Sequence, residues 1–251
     1  MFYKFSLIDA ESDLIIGNSS ELIGLTGNCI EKMDSEVFHK IILKNFRFND
    51  EFKEYCKKNK TYINNLYLTI LNNEGIPIGS YYLILKEPQY YFRSEFSECR
   101  IELELIGELL QVAAEEDLAI WEMRRSSLTE KNVWTTLSKE QRIGWIEVAR
   151  LHYKTSHNSQ DQQNGKYYID TANVTNSSDF FCALGEAING PGGYYGYDIK
   201  SLEDCLCGGF GAAPPFVIYL LNVNSKWKKD ISFVQQLKEV FSVRNVALVC
   251  N

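Results

Sequence analysis

The sequence is poor in the residues from which active sites are most often built. It has three histidines in 251 residues, His39, His152 and His157, and none beyond position 157. A thiol–imidazole dyad around Cys205 therefore lacks a neighbouring base in sequence. No two cysteines stand at CxxC spacing, and the count is odd, at positions 29, 56, 99, 182, 205, 207 and 250. That excludes a disulfide framework and leaves reduced thiols as the natural reading. Cys205 and Cys207 are two apart, closer than metal pairs usually stand, and further ligands are missing, so neither metal nor cofactor is expected. No GxxxxGK[ST] run occurs, which removes a P-loop. Excess positive charge is absent too. The 26 basic residues are outnumbered by 33 acidic ones, for a formal net charge of −7, which argues against nucleic acid as the main partner. No apolar run is long enough to span a bilayer, so no membrane partner is expected. The start, MFYKFSLIDAESD, lacks the basic and apolar regions of a signal peptide, and the expected location is the cytoplasm.

What is present is ordinary globular material, 45% hydrophobic and 24% charged. Residues 1–112 read as a strand-rich α+β domain. Strands are expected at 2–9, at 66–71 and 80–86 as a hairpin around Asn72-Asn73-Glu74-Gly75, and at 100–106, where Ile101, Leu103 and Leu105 alternate with Glu102 and Glu104. A short helix is expected over 49–59, with Phe52 and Tyr55/Cys56 at helical spacing. Residues 113–153 read as a helical connection. Ser138 is its N-cap residue, and Ile143, Ile146 and Ala149 form an apolar stripe. Residues 154–166, wholly without apolar side chains up to Lys166, read as a polar linker.

From 167 to 251 strands and helices alternate. A strand over 167–174 is followed by a helix DFFCALGEAI, capped by Ser177 or Ser178 and stopped at Asn189-Gly190-Pro191. A second helix is expected over 197–206, and a third begins at Asp230. FVIYLL (216–221) and NVALVC (245–250) read as buried strands. This order implies a parallel sheet with right-handed crossovers, an α/β domain.

The stretch NGPGGYYGYDIKSLEDCLCGGFG, 189–211, combines seven glycines with Tyr194, Tyr195 and Tyr197 and the acids Asp198, Glu203 and Asp204. On a helix, Ile199, Leu202 and Leu206 form one apolar stripe that Cys205 can join. Tyr197, Lys200 and Asp204 share the opposite side, with Glu203 beside them. Tyr194 and Tyr195 come up against the helix start, which suggests an exposed face of aromatic rings and carboxylates. Spacing alone leaves two readings open: a solvated helix face with structural tyrosines, or a protein-binding hot spot. The chain shows no organised acid, base and nucleophile, so a non-enzymatic role is expected. A hydrolase within residues 1–110 would have to rest on His39 alone.

YYGYDIKSLEDCL resembles the signature of the barstar family, intracellular inhibitors of the ribonuclease barnase: two aromatics and a glycine, then an acidic helix. FFCALGEAINGPGGYYGYDIKSLEDCLCGGFG is similar to the long members of that family. The resemblance covers about 167–251 and implies a three-stranded parallel sheet packed by helices. It further implies an inhibitor or immunity protein that plugs a ribonuclease active site with the acidic helix and the loop before it. Position by position, Tyr194, with Tyr195 beside it, matches the loop tyrosine that lies on the nuclease. Asp204 matches the central aspartate at the nuclease's phosphate site, Asp198 the polar residue opening the helix, and Gly208 the glycine after it. Glu239 matches a peripheral acidic contact. Two positions depart from the family: Lys200 stands where a second helix acid is expected, and Glu203 where a tryptophan is often found. Lys200 and Asp204, four apart, are placed to pair on the helix surface. An orphan interaction module without inhibitory activity is the alternative.

Overall fold

The computed structural model describes residues 3–33, 36–59, 62–91, 101–156, 160–223 and 231–250. Phe2, Arg100, His157 and Asp230, each expected in or beside an element, lie outside the described residues. The chain divides into two compact units, Met1–Ser127 and Leu128–Asn251.

The first unit is a barrel-like antiparallel sheet. Its strands are β1 (Phe5–Asp9), β2 (Ile15–Ser19), β3 (Glu21–Ile23), β4 (Ile30–Met33), β5 (Glu36–Phe48), β6 (Tyr62–Leu71), β7 (Pro77–Tyr90) and β8 (Ile101–Leu109). The pairing runs β2-β1-β6-β7-β8-β5, and β5 pairs back on β2, so six strands close into a ring; β3 and β4 add to β5. Closure removes the unpaired edges an open sheet would present. The core of this unit is mostly aliphatic, with Leu7, Ile16, Ile41, Leu43, Leu66, Leu68, Leu83 and Leu105 buried alongside the aromatic Phe46 and Tyr81. The expected hairpin is present as β6 and β7, and β8 alternates as expected. The helix α1 (Asp50–Lys58) buries Phe52 against Phe48 and Tyr91, with Cys56 beside it, while Tyr55 is exposed.

A second helix, α2 (Glu115–Arg125), belongs to this same unit. Trp121 is buried and its indole N–H donates to the Tyr81 hydroxyl at 3.0 Å. The indole lies so close to Gly79 that a Cβ there would meet a ring carbon at 2.1 Å, which is why this strand position carries glycine. Arg125 donates to the carbonyls of Lys4 and Leu71. Set beside the expected division into 1–112, 113–153, 154–166 and 167–251, the boundary between the two compact units falls after Ser127. The span 113–153 is shared between the two units, and 128–166 is part of the second.

The second unit contains a 3-10 turn (Val133–Thr136), α3 (Lys139–Ser156), β9 (Lys166–Asp170), α4 (Ser177–Asn189), α5 (Ile199–Cys205), β10 (Phe216–Leu221), α6 (Ile231–Val243) and β11 (Val246–Cys250). The three strands are parallel in the order β11-β10-β9, the sheet expected from the sequence. Both steps, β9 to β10 and β10 to β11, go the same way across the sheet, so right-handed crossovers put their helices on one face. Burial follows. Phe216, Ile218 and Leu220 are buried, while Val217, Tyr219 and Leu221 are half-buried and Tyr168 is exposed and stacked on Tyr219. NVALVC is therefore not a fully buried strand: β11 sits at the edge, and in it Val246 is buried but Ala247 is exposed.

Three local expectations are corrected. The strand at 167–174 ends at Asp170. Asn176, not Ser177 or Ser178, caps α4, its side chain accepting from Asp179 N at 3.0 Å. Ile143 is 55% exposed, and the buried side of α3 runs instead through Trp145, Ile146, Val148, Ala149 and Tyr153. Ser138 does cap α3: its hydroxyl accepts from Gln141 N, and the Gln141 side chain accepts from Ser138 N.

Asp179, on α4, is fully buried. Its carboxylate accepts from the Arg142 guanidinium at 2.8 Å and from the backbone and hydroxyl of Thr175 at 2.9 and 2.6 Å. Removing one partner of such a pair strands the other charge. Asp179→Ala is expected to destabilise the second unit by about 3–5 kcal/mol. Exchanging Arg142 and Asp179 together for apolar residues of similar volume should cost less than Asp179→Ala alone. Equilibrium urea unfolding of the three proteins measures both.

Candidate functional site

The stretch 189–211 forms the end of α4, a tight loop, α5 and a glycine-rich exit. Asn189 secures both loops: its side-chain amide donates to Tyr194 O at 2.7 Å and to Phe210 O at 3.0 Å. Glu186, buried one turn earlier, accepts from Gly192 N at 3.0 Å and, through its other oxygen, from Asn132 N at 2.7 Å. Asp198 caps α5 in a reciprocal box. Its carboxylate accepts from Ser201 N at 2.7 Å, and the Ser201 hydroxyl accepts from Asp198 N at 2.9 Å. The helix is shorter than expected, seven residues rather than ten, because Tyr197 and Asp198 belong to the N-terminal cap and Leu206 is the C-cap.

Leu202, Cys205 and Leu206 are buried beneath α5, the expected apolar stripe; Ile199 is half-buried. Tyr195 lies wholly in this core, its hydroxyl donating to Ala212 O at 2.9 Å. Tyr194 is buried among Tyr153 and Phe210, with ring centroids 6.4 and 6.0 Å away. The expectation of two exposed loop tyrosines is therefore corrected: these rings support the loop from inside. Burial pushes both hydroxyls above the ordinary tyrosine range and the Cys205 thiol up to about 12, so Cys205 is no thiolate at neutral pH.

The outer face carries the charges. Tyr197 is half exposed, and Lys200, Glu203 and Asp204 are all exposed. The expected surface pair does not form: among the described residues, neither Lys200 nor Asp204 makes an ion pair or side-chain hydrogen bond. Glu239 is exposed on α6, which packs beside α5, and its carboxylate accepts from Gln235 at 3.0 Å. Gly208 follows the helix at φ +107°, and a Cβ there would meet an Asp161 oxygen at 2.9 Å, so backbone geometry by itself demands glycine.

Asp161 is the residue that sequence reasoning missed. It falls in the supposed linker, yet its carboxylate accepts from Gly209 N at 2.6 Å and Gly211 N at 2.8 Å. No periodicity signals such a contact. Among the described residues no group of three or more His, Cys, Asp or Glu is arranged to hold a metal, and no helix is long and apolar enough to cross a membrane.

Compared with known families, residues 166–247 match the model of the family described as Barstar (barnase inhibitor), about a third of the chain. No curated protein and no solved structure matches. The second unit thus contains a barnase-inhibitor-like interaction module, with the sheet and helices described above, and the match leaves residues 128–165 of that unit outside it.

The buried hydroxyls and thiol predict an alkaline limit. Each stays protonated in the folded chain at pH values where it ionises in the unfolded one. Their stabilising contribution is fully present below the unfolded values, about 8.5 for cysteine and about 10 for tyrosine, and falls as pH rises past them. Urea midpoints of the second unit should fall progressively above about pH 9, and Tyr195→Phe should weaken that dependence.

Proposed function

We propose that the second unit is an inhibitor, or immunity protein, that binds a ribonuclease of the barnase kind and blocks its active site with the outer face of α5. The observation that carries this reading is the exposed, unpaired carboxylate of Asp204, with Glu203 beside it, on a short helix whose ends are both fastened, within the span that matches the barnase-inhibitor family. A ribonuclease site is basic because it binds phosphates. A carboxylate on a rigid support can take the place of a phosphate there and accept charge-assisted hydrogen bonds from Arg and Lys. It does so without reorganisation, because the Asp198–Ser201 box fixes the start of α5 and the glycine exit fixes its end. The unit acts by binding, not by catalysis. Six described cysteines are free, which supports a reducing compartment such as the cytoplasm.

The residues proposed to meet the nuclease are Tyr197, Asp198, Lys200, Glu203 and Asp204, with Glu239 at the periphery. Tyr194, Tyr195 and Gly208 support them. Asp198 serves mainly as the cap, since one of its oxygens is already engaged. Lys200 sets a positive charge amid three acids, and this one observation favours the alternative, an interaction module that has left ribonucleases behind.

Inhibition of a panel of microbial ribonucleases, barnase included, by the purified chain separates the two. Asp204→Ala should keep its melting temperature, since exposed substitutions change stability by about 0.5 kcal/mol or less. It should lose affinity for an inhibited ribonuclease by at least about thirtyfold, corresponding to about 2 kcal/mol, the general threshold of a hot spot, of which the barnase–barstar pair is itself an example. An unchanged affinity removes α5 from the interface. A large fall in melting temperature would instead make Asp204 a structural residue.

Wild-type inhibition of barnase is expected to be weak, and Lys200→Asp should strengthen it by restoring attraction to a basic site. Equal inhibition by the two proteins would show that Lys200 does not set the choice of target.

A further inference from the structure

We propose that the segment preceding the family match braces the exit of α5, with Asp161 and Tyr153 as positioning residues for the docking face; its consequence for docking rests on the inhibitor reading of α5. The exit is an unusual piece of backbone. Gly208, Gly209 and Gly211 have φ of +107°, +85° and +89°. Glycines of this kind turn successive N–H groups toward one point and form an anion-binding concavity. Here the concavity is filled from within the chain: the two oxygens of Asp161 take the N–H groups of Gly211 and Gly209 at 2.8 and 2.6 Å.

The rest of the exit is held from the same segment. The Tyr153 hydroxyl donates to Gly209 O at 3.1 Å, and its ring stacks on Phe210 with centroids 5.4 Å apart. Gln162 N donates to Gly211 O, and Ala213 N to Gln162 O, in a short parallel bridge that carries the β9–β10 ladder back toward Asp161. Asp161 thus sits at the end of a ladder anchored in the sheet core.

The brace is coupled to the acidic helix through a few bonds. Cys207 N donates to Asp204 O at 3.0 Å, and Gly208 N to Cys205 O at 3.1 Å. The last turn of α5, carrying Glu203 and Asp204, therefore continues directly into the clamped glycines. Without the clamp, those glycines have more backbone freedom than any other residue type and would leave the turn to fray. A carboxylate bonded to two amides is the strong form of such a contact.

Amide hydrogen exchange on the full chain tests this without any partner. Asp161→Ala should raise exchange at Gly209 and Gly211, and also at Cys207 and Gly208, by at least about tenfold, as expected for loss of charge-assisted bonds. Amides of β9 and β10 should be unchanged. Asp161→Asn, which keeps one acceptor oxygen, should produce a smaller rise at the same four positions. A rise confined to Gly209 and Gly211, or no rise, overturns the proposal. If Asp161→Ala raises exchange throughout the unit, Asp161→Asn and Tyr153→Phe are judged by the same pattern. Barnase inhibition adds a second arm. Where the wild type inhibits, Asp161→Ala should dissociate faster; equal dissociation overturns the role in docking. A wild type that inhibits no ribonuclease counts against the inhibitor reading alone, and the exchange pattern then decides the brace.

Discussion

A carboxylate taken out of water must be saturated with donors, and in the second unit that requirement falls on one helix. Asp179 and Glu186 lie two turns apart on α4, and both are buried. Desolvating an ion costs several kcal/mol, about what its Coulombic and hydrogen-bond partners return. The pair therefore contributes less to net stability than to geometry. Asp179 can be satisfied only with Arg142 in place, and Arg142 in turn donates to the carbonyls of Trp134, Thr135 and Leu137. Glu186 can be satisfied only with Asn132 and Gly192 on either side of it. Residues 132–142 are thereby fastened to the helix that leads into the loop before α5.

From that helix outward, polar groups divide by use. Asn189, Asp198, Ser201 and Tyr195 spend their hydrogen bonds on the loop and on α5 itself. Among the described residues, the side chains of Lys200 and Asp204 spend none. The inner set is three short side chains and the buried Tyr195, all bonded to backbone groups. The outer set is charged and exposed, the condition in which a charge keeps its full value for a partner. A rigid frame under unpaired charge is what a docking face requires, since ordering costs are met on folding rather than on binding.

Part of this was legible in the residues. The hairpin of β6 and β7, the alternation of β8, the Ser138 cap and the strand–helix rhythm of 166–250 follow from local periodicity and turn chemistry, which act over a few residues. The resemblance to the barstar family lay in one stretch, whose helix is present as α5. Less visible was β5. EVFHKIILKNFRF has no clean period of two, because one long strand serves β8 on one side and β2, β3 and β4 along the other, so its burial demands change along its length.

By itself the sequence determined which segments are strands and helices in the second unit, their parallel arrangement and the apolar side of α5, because each depends on spacing and on the fixed hand of the chain. Tertiary structure alone decided the rest. Tyr194 and Tyr195 turned inward because the rings found a core to fill, a choice that neighbouring residues do not encode. Lys200 and Asp204 stayed apart although their spacing permits a pair. Asp161, in a tract with no apolar residue, became part of the fold because two amide groups 48 and 50 residues away needed an acceptor. Hydrogen bonds across such separations leave no periodic trace, since their partners meet only after the core has brought them together.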